Sequence, residues 1–147
     1  MEANKTSFTC EVSLFIDRPS EAIWSFMLDL TNDTRWRTGI KDAWLTSDPP
    51  AGLGATGVHI APLIGAFPWI ITEWQDQRVA GWDFTSGFLT GTHGSYRIEL
   101  ERDGSRVIIQ ANFRVAGTFG VLMPLMRQIV PRRLAGDLRN LKAIMEA

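Results

Sequence analysis

The sequence predicts an α+β fold in which one curved antiparallel sheet closes on a long C-terminal helix. Three observations predict it. Residues 8–16 and 106–115 alternate apolar and polar side chains, strand-like runs separated by turn residues lie between them, and apolar residues repeat at helical spacing over 118–146.

In the first run Phe8, Cys10, Val12, Leu14 and Ile16 face one way, and Thr9, Glu11 and Ser13 the other. Period two over that length describes a half-buried strand. Asp17-Arg18-Pro19-Ser20 stops it, and Ser20 is the expected cap of a short helix over 20–30. Ala22, Ile23, Phe26, Met27 and Leu30 form its apolar face. A second short helix is expected over 32–37, ended by Gly39.

Six further strands follow, over 40–47, 55–61, 69–74, 79–86, 92–101 and 106–115. Asp48-Pro49-Pro50-Ala51-Gly52 reads as a turn, 62–68 as a Gly/Pro-punctuated connection, and Asp103-Gly104 as a hairpin. In the last strand Val107, Ile109, Ala111, Phe113 and Val115 share a face, while Gln110, Asn112 and Arg114 take the other. One dry and one wet face favour antiparallel pairing. The helix over 118–146 carries Phe119, Leu122, Met123, Met126, Ile129, Val130, Leu134, Leu138, Leu141 and Met145 on one side. Pro124 and Pro131 interrupt it: either it kinks, or it starts as a looser turn and becomes regular after Pro131.

A seven-stranded meander must twist and curl, and one amphipathic helix has to cover its apolar face. That helix cannot touch a strongly curved sheet everywhere. A hollow is left between them, and hollows of this kind hold ligands.

Composition sets the outer limits. A chain of 147 residues is the size of one domain, 1–147, and can bury enough surface to fold without disulfides or metal. Fifteen basic residues against sixteen acidic ones leave no excess for phosphates, so no nucleic-acid partner is expected. Cys10 stands alone in an apolar run and reads as a small core residue. The opening MEANKTSF lacks a basic stretch followed by an apolar core, and no segment has about 18 uninterrupted apolar residues. A cytoplasmic protein without stable membrane insertion, monomeric or homodimeric, is the expectation.

Several motifs resemble one family. They are the Pro-Ser-Glu-x-x-Trp helix start at Pro19 to Trp24, Asp29-Leu30 followed by Trp36, and the Gly54-x-x-Gly57 approach to a strand. Ile71-Thr72-Glu73-Trp74 and the ending Leu138-x-x-Leu141-Lys142-x-x-x-Glu146 complete the set. In order and spacing they resemble the polyketide cyclase/dehydrase and lipid-transport branch of the START-like (SRPBCC, helix-grip, Bet v 1-like) superfamily. The resemblance implies a helix-grip fold with an internal apolar cavity. It also implies either a carrier of a lipid, polyketide or aromatic metabolite, or a cyclase or dehydratase-like enzyme, because both occur in the family.

The residues narrow the chemistry further. Two histidines at distant positions do not make a zinc site, and no Gly-x-Ser-x-Gly elbow, phosphate loop or dinucleotide fingerprint occurs, so no cofactor is expected. One parity turns His59 toward the core with Gly57 and Ala61; the other turns Val58 and Ile60 inward and leaves His59 in solvent. His93 lies on the polar parity of its strand or in the turn Gly91-Thr92-His93-Gly94. Glu73 and Arg97 are read on neighbouring strands, as a catalytic pair or a plain surface ion pair, and Asp83 with Arg78 likewise. The candidate catalytic residues are thus His59, Glu73, Tyr96 and Arg97, with His93 behind them.

The expected ligand-lining residues are His59, Tyr96 and Phe113, the sheet aromatics Trp69, Trp82 and Phe84, and Phe119, Met123 and Met126 on the long helix. The resemblance adds Trp36 near the cavity mouth. Arg127, Arg132, Arg133 and Arg139 read as a solvated outer face, or as a surface for anionic lipid. No exposed apolar stripe is evident in the sequence to argue for a purely interaction role.

Overall fold

The computed structural model describes residues 7–115 and 117–147. The reading of MEANKTSF as leaderless therefore falls largely on residues outside the described ones. Strand β1 (Ser7–Ile16) leads into α1 (Ser20–Met27), a 3-10 turn (Leu30–Asn32) and α2 (Asp33–Trp36). Six strands follow: β2 (Asp42–Leu45), β3 (Thr56–Ala61), β4 (Gly65–Gln75), β5 (Val79–Phe84), β6 (His93–Glu101) and β7 (Gly104–Arg114). A 3-10 segment (Gly117–Leu122) then runs into α3 (Met123–Met145), 23 residues long.

The strands form one seven-stranded sheet in the order β1-β7-β6-β5-β4-β3-β2, antiparallel at every pairing. The first strand pairs with the last, and Phe8 stacks on Phe113 across that join at 5.0 Å between ring centres. The alternation read in β1 and β7 holds, since Cys10, Ile16, Val107, Ile109 and Ala111 are all buried. The C-terminal half of α3 fills the closed end of the sheet. There Leu134, Leu138, Leu141 and Met145 pack with Ile16, Ile23, Trp24, Met27 and Val107. Each fully buried leucine contributes about 1.5–3 kcal/mol.

Four local expectations are corrected. Pro19, not Ser20, stands at the head of α1, and no side chain caps the helix. The stretch 62–68 is not all connection, because β4 begins at Gly65 and runs through Pro68, which pairs with Val58. The Pro68 carbonyl accepts from the Thr85 amide on the β5 side, so its missing N–H points the same way, past the end of β5, and costs no ladder bond to β3. In the β6–β7 hairpin Glu101 pairs with Gly104, so the turn is Arg102-Asp103. Gly104 serves close packing instead: a Cβ there would stand 2.5 Å from the Ile16 carbonyl oxygen. Finally, the looser turn precedes Pro124 rather than Pro131. Pro124 sits in the first turn of α3, where no N–H is needed, and the helix continues through Pro131.

A bulge between Ile71 and Glu73 inserts one extra residue into β4. It explains how Trp69 and Ile71, at odd positions, and Trp74, at an even one, all pack into the apolar interior. Trp74 meets Trp24 edge-on at 5.2 Å.

Candidate functional site

Between the sheet and the N-terminal half of α3 lies a cavity of about 380 Å³, within the range of roughly 300–1,000 Å³ typical of small-molecule sites. Its walls come from alternate residues of adjacent strands. His59 and Ala61 of β3, Trp82 and Phe84 of β5, Gly94 and Tyr96 of β6, and Ile109, Ala111 and Phe113 of β7 line it. Met126, Val130 and Leu134 of α3 close it from the other side. Ile64, Leu122 and Leu125 both line it and are exposed, which locates the opening between the β3–β4 turn and the start of α3. Phe119, Val121 and Ile129 are exposed on the same part of the chain, so an exposed apolar group does exist where none was expected.

Two glycines make the aromatic walls possible. Gly57 pairs with Trp69, and a Cβ on it would lie 2.2 Å from Trp69 Cζ2. Gly94 pairs with Trp82, and a Cβ there would lie 2.9 Å from Trp82 Cζ2. Each indole occupies the space that its cross-strand partner leaves empty.

The polar groups of the cavity form two linked chains. In the first, the Trp69 indole N–H donates to His59 Nδ1 at 2.5 Å, and His59 Nε2 lies 2.7 Å from Asp33 Oδ2. An indole nitrogen can only donate. Nδ1 is therefore the unprotonated nitrogen, and Nε2 carries the proton toward Asp33. Both ring nitrogens are committed to the protein.

In the second chain, Arg37 Nη1 donates to the Tyr96 hydroxyl oxygen at 2.5 Å, and Arg37 Nε donates to Asp137 Oδ2 at 3.1 Å. Asp137 Oδ1 accepts from the Thr38 amide at 3.0 Å and the Thr38 hydroxyl at 2.9 Å. Burial pushes the Tyr96 hydroxyl above its ordinary value even though Arg37 pulls the other way, so it stays protonated. Burial alone would lower Arg37; the Asp137 and Asp33 carboxylates outweigh it and hold the guanidinium charged.

Of the expected catalytic residues, His59 and Tyr96 reach the cavity, while Glu73 and Arg97 do not. They lie on the outer face of the sheet, and β5 separates their strands, so the expected cross-strand pair is corrected. Glu73 lies 3.6 Å from His93 instead, across Gly81, and Arg97 lies 3.9 Å from Glu99. Asp83 pairs with His93 at 2.5 Å rather than with Arg78.

Of the expected lining residues, His59, Trp82, Phe84, Tyr96, Phe113 and Met126 line the cavity. Trp69 stands behind His59, and Met123 is buried at the start of α3. Phe119 turns to Phe88, 5.0 Å away, and stays partly exposed. Trp36 is not at the mouth; it is only 1% exposed and packs against Tyr96 in the core. The Trp36 Nε1 and Asp33 Oδ1 atoms are buried without a hydrogen-bond partner among the described residues.

The residues missed from sequence are Asp33, Arg37 and Asp137; Arg133, read as part of an outer basic face, lines the cavity instead. One signal existed for Asp137. It falls between Leu134, Leu138 and Leu141, on the apolar stripe of α3, where a carboxylate needs a partner. Among the described residues no cluster of His, Cys, Asp and Glu has metal-binding geometry, and no helix is long and apolar enough to cross a membrane.

A curved sheet gripping a C-terminal helix around a cavity is the helix-grip, START-like architecture. The chain belongs to the polyketide cyclase/dehydrase and lipid transport family, whose family model matches residues 7–146. Solved structures agree on the fold. A START superfamily protein from Mycobacterium smegmatis superposes with a TM-score of 0.78 at 15% identity, covering 94% of this chain and 97% of that one. A Thermus thermophilus protein gives 0.75 at 16% identity, covering 92% and 95%. The di-domain ARO/CYC StfQ from the steffimycin biosynthetic pathway gives 0.77 at 12% identity, with 99% of this chain matching 53% of that one. Among curated proteins none matches the sequence.

Proposed function

We propose that this protein binds and carries a hydrophobic small molecule, such as a lipid, polyketide or aromatic metabolite, in the cavity beneath α3. One observation carries the reading. The cavity is walled by aromatic and aliphatic side chains, and both nitrogens of its one histidine are taken up by Trp69 and Asp33. A general base needs a free lone pair within reach of the substrate, and His59 offers none. His59, Trp82, Phe84, Tyr96, Phe113 and Met126 are the proposed ligand contacts.

A thermal-shift screen against fatty acids and aromatic metabolites tests this. A ligand at 100 times its dissociation constant adds about 2.7 kcal/mol, which for a chain of this size raises Tm by roughly 5–11 °C. An unchanged Tm and unchanged tryptophan emission across the library would overturn the reading.

One observation favours a cyclase or dehydratase-like enzyme as the second reading. The Tyr96 oxygen accepts from Arg37, which leaves its own protonated O–H to polarise a ligand carbonyl. On that reading Tyr96→Phe abolishes turnover of a poly-β-ketone while the cavity still binds it. On the carrier reading wild type shows no turnover.

A further inference from the structure

The polar end of the cavity has a definite sign and a definite hydrogen-bonding sense. Among the described lining residues the charged ones are Arg37 and Arg133, and no carboxylate is with them. Asp137 and Asp33 stand behind Arg37 rather than on the cavity wall. Arg37 uses Nε and Nη1 within the protein, and its Nη2 makes no hydrogen bond with any described residue. Arg133 makes no hydrogen bond or ion pair with any described residue. Its Nη1 lies 3.0 Å from where a Cβ on Gly39 would stand, so the bare backbone of Gly39, itself a lining residue, makes room for this guanidinium at the cavity edge.

The neutral groups lean the same way. Tyr96 accepts from Arg37 and has its O–H left to give. The Thr92 hydroxyl is spent, donating to the Arg114 carbonyl and accepting from the Arg114 amide. His59 accepts from Trp69 and donates to Asp33. What Arg37, Tyr96 and Arg133 present to a guest is therefore mainly donors: Arg37 Nη2, the Tyr96 O–H and the Arg133 guanidinium; Gln110, the remaining polar lining residue, also borders the outer-face pocket with Glu73 and Arg97. A ligand whose polar end is itself a donor meets two guanidiniums at this end, and buried donors left unmatched are costly.

We infer that the ligand is an amphiphile with one anionic acceptor group, a carboxylate, which sits against Arg37, Tyr96 and Arg133 while its apolar body fills the aromatic part of the cavity. The inference rests on the carrier reading above and narrows it. A guanidinium holds a carboxylate through charge-assisted, often paired hydrogen bonds, so it discriminates strongly between an acid and the corresponding alcohol. Asp137 and Asp33 partly compensate Arg37, which keeps the expected preference near tenfold.

Displacement of the neutral fluorophore N-phenyl-1-naphthylamine by dodecanoate, dodecan-1-ol and methyl dodecanoate tests it, at low ionic strength and a pH where the acid is ionised. Dodecanoate is expected to displace the fluorophore at a concentration about tenfold or more below that of the alcohol and the ester. Arg133→Gln, an exposed side chain with no partner to lose among the described residues, is expected to shrink that ratio to about threefold or less. Equal displacement by acid and alcohol, or an unaltered ratio in the variant, would overturn the carboxylate inference and leave the carrier reading standing. Failure of the fluorophore and all three compounds to bind would overturn both.

Discussion

Asp137→Asn keeps the shape of a buried side chain and removes its charge. The Asp137 carboxylate is 2% exposed and accepts three hydrogen bonds, one from Arg37 and two from Thr38. An asparagine can turn its oxygen to Thr38 and keep two of them. Its amide group then faces Arg37 Nε, donor against donor, and the guanidinium loses its nearest counter-charge. Removing one partner of a buried pair costs about 3–5 kcal/mol. Arg37 is 17% exposed and opens onto the cavity, and Asp33 still acts on it, so the lower end of that range applies, about 3 kcal/mol. For a chain of this length that is a fall in Tm of roughly 6–12 °C, read by circular dichroism or as the urea midpoint. Replacing both partners, Arg37→Met with Asp137→Leu, is expected to recover part of the loss, because no buried charge is then stranded. A fall of less than about 1 kcal/mol for Asp137→Asn, the level of a surface ion pair, would refute the claim that this pair holds α3 to the 37–38 segment.

Two further substitutions probe other parts of the structure. Gly57→Ala puts a methyl group where the Trp69 ring lies, so it is expected to cost about 1–3 kcal/mol and to shift the Trp69 indole N–H resonance as its bond to His59 breaks. An unmoved resonance would contradict the cross-strand packing. At the other end of α3, the Asp17 amide and Lys142 hold the Glu146 carboxyl below its ordinary value. Because the folded value is the lower one, the stabilisation is present above the unfolded value of about 4.3 and is lost as pH falls through the folded value. A lower protection factor of the Asp17 amide, taken relative to its intrinsic exchange rate at each pH, is expected on acidification, and Glu146→Gln should remove that change in protection.

The strands of this fold were legible because burial leaves a period-two mark on the chain. It is plain in Cys10 and Ile16 of β1, and in Val107, Ile109 and Ala111 of β7. Boundaries failed where proline was given its usual meaning. Pro68 sits in a strand because its nitrogen side faces no partner strand, a fact of register that composition does not carry. The apolar half of the candidate site could be read from aromatic parity, as Trp82, Phe84 and Phe113 illustrate. The polar half could not. Asp33, Arg37 and Asp137 look like ordinary helix-surface charges until α3 and α2 meet, and the outward set of Glu73, His93 and Arg97 attracts suspicion by residue type alone. His59 was ambiguous because Val58 and Ile60 offer an equally apolar opposite parity; the pairing of Gly57 with Trp69 decides it.

The glycines beneath the indoles have a consequence for how ligand choice can drift in such a chain. Gly94 lies under the edge of the Trp82 ring, and its missing side chain is what lets the ring lie back against the sheet. Any larger residue at 94 pushes the indole forward and shrinks the chamber through a ring whose own identity is unchanged. Gly57 acts at one remove more, through Trp69 on His59. Selectivity in this architecture can therefore be tuned from beneath the wall, and a screen confined to the large side chains that touch the guest would pass over both dials.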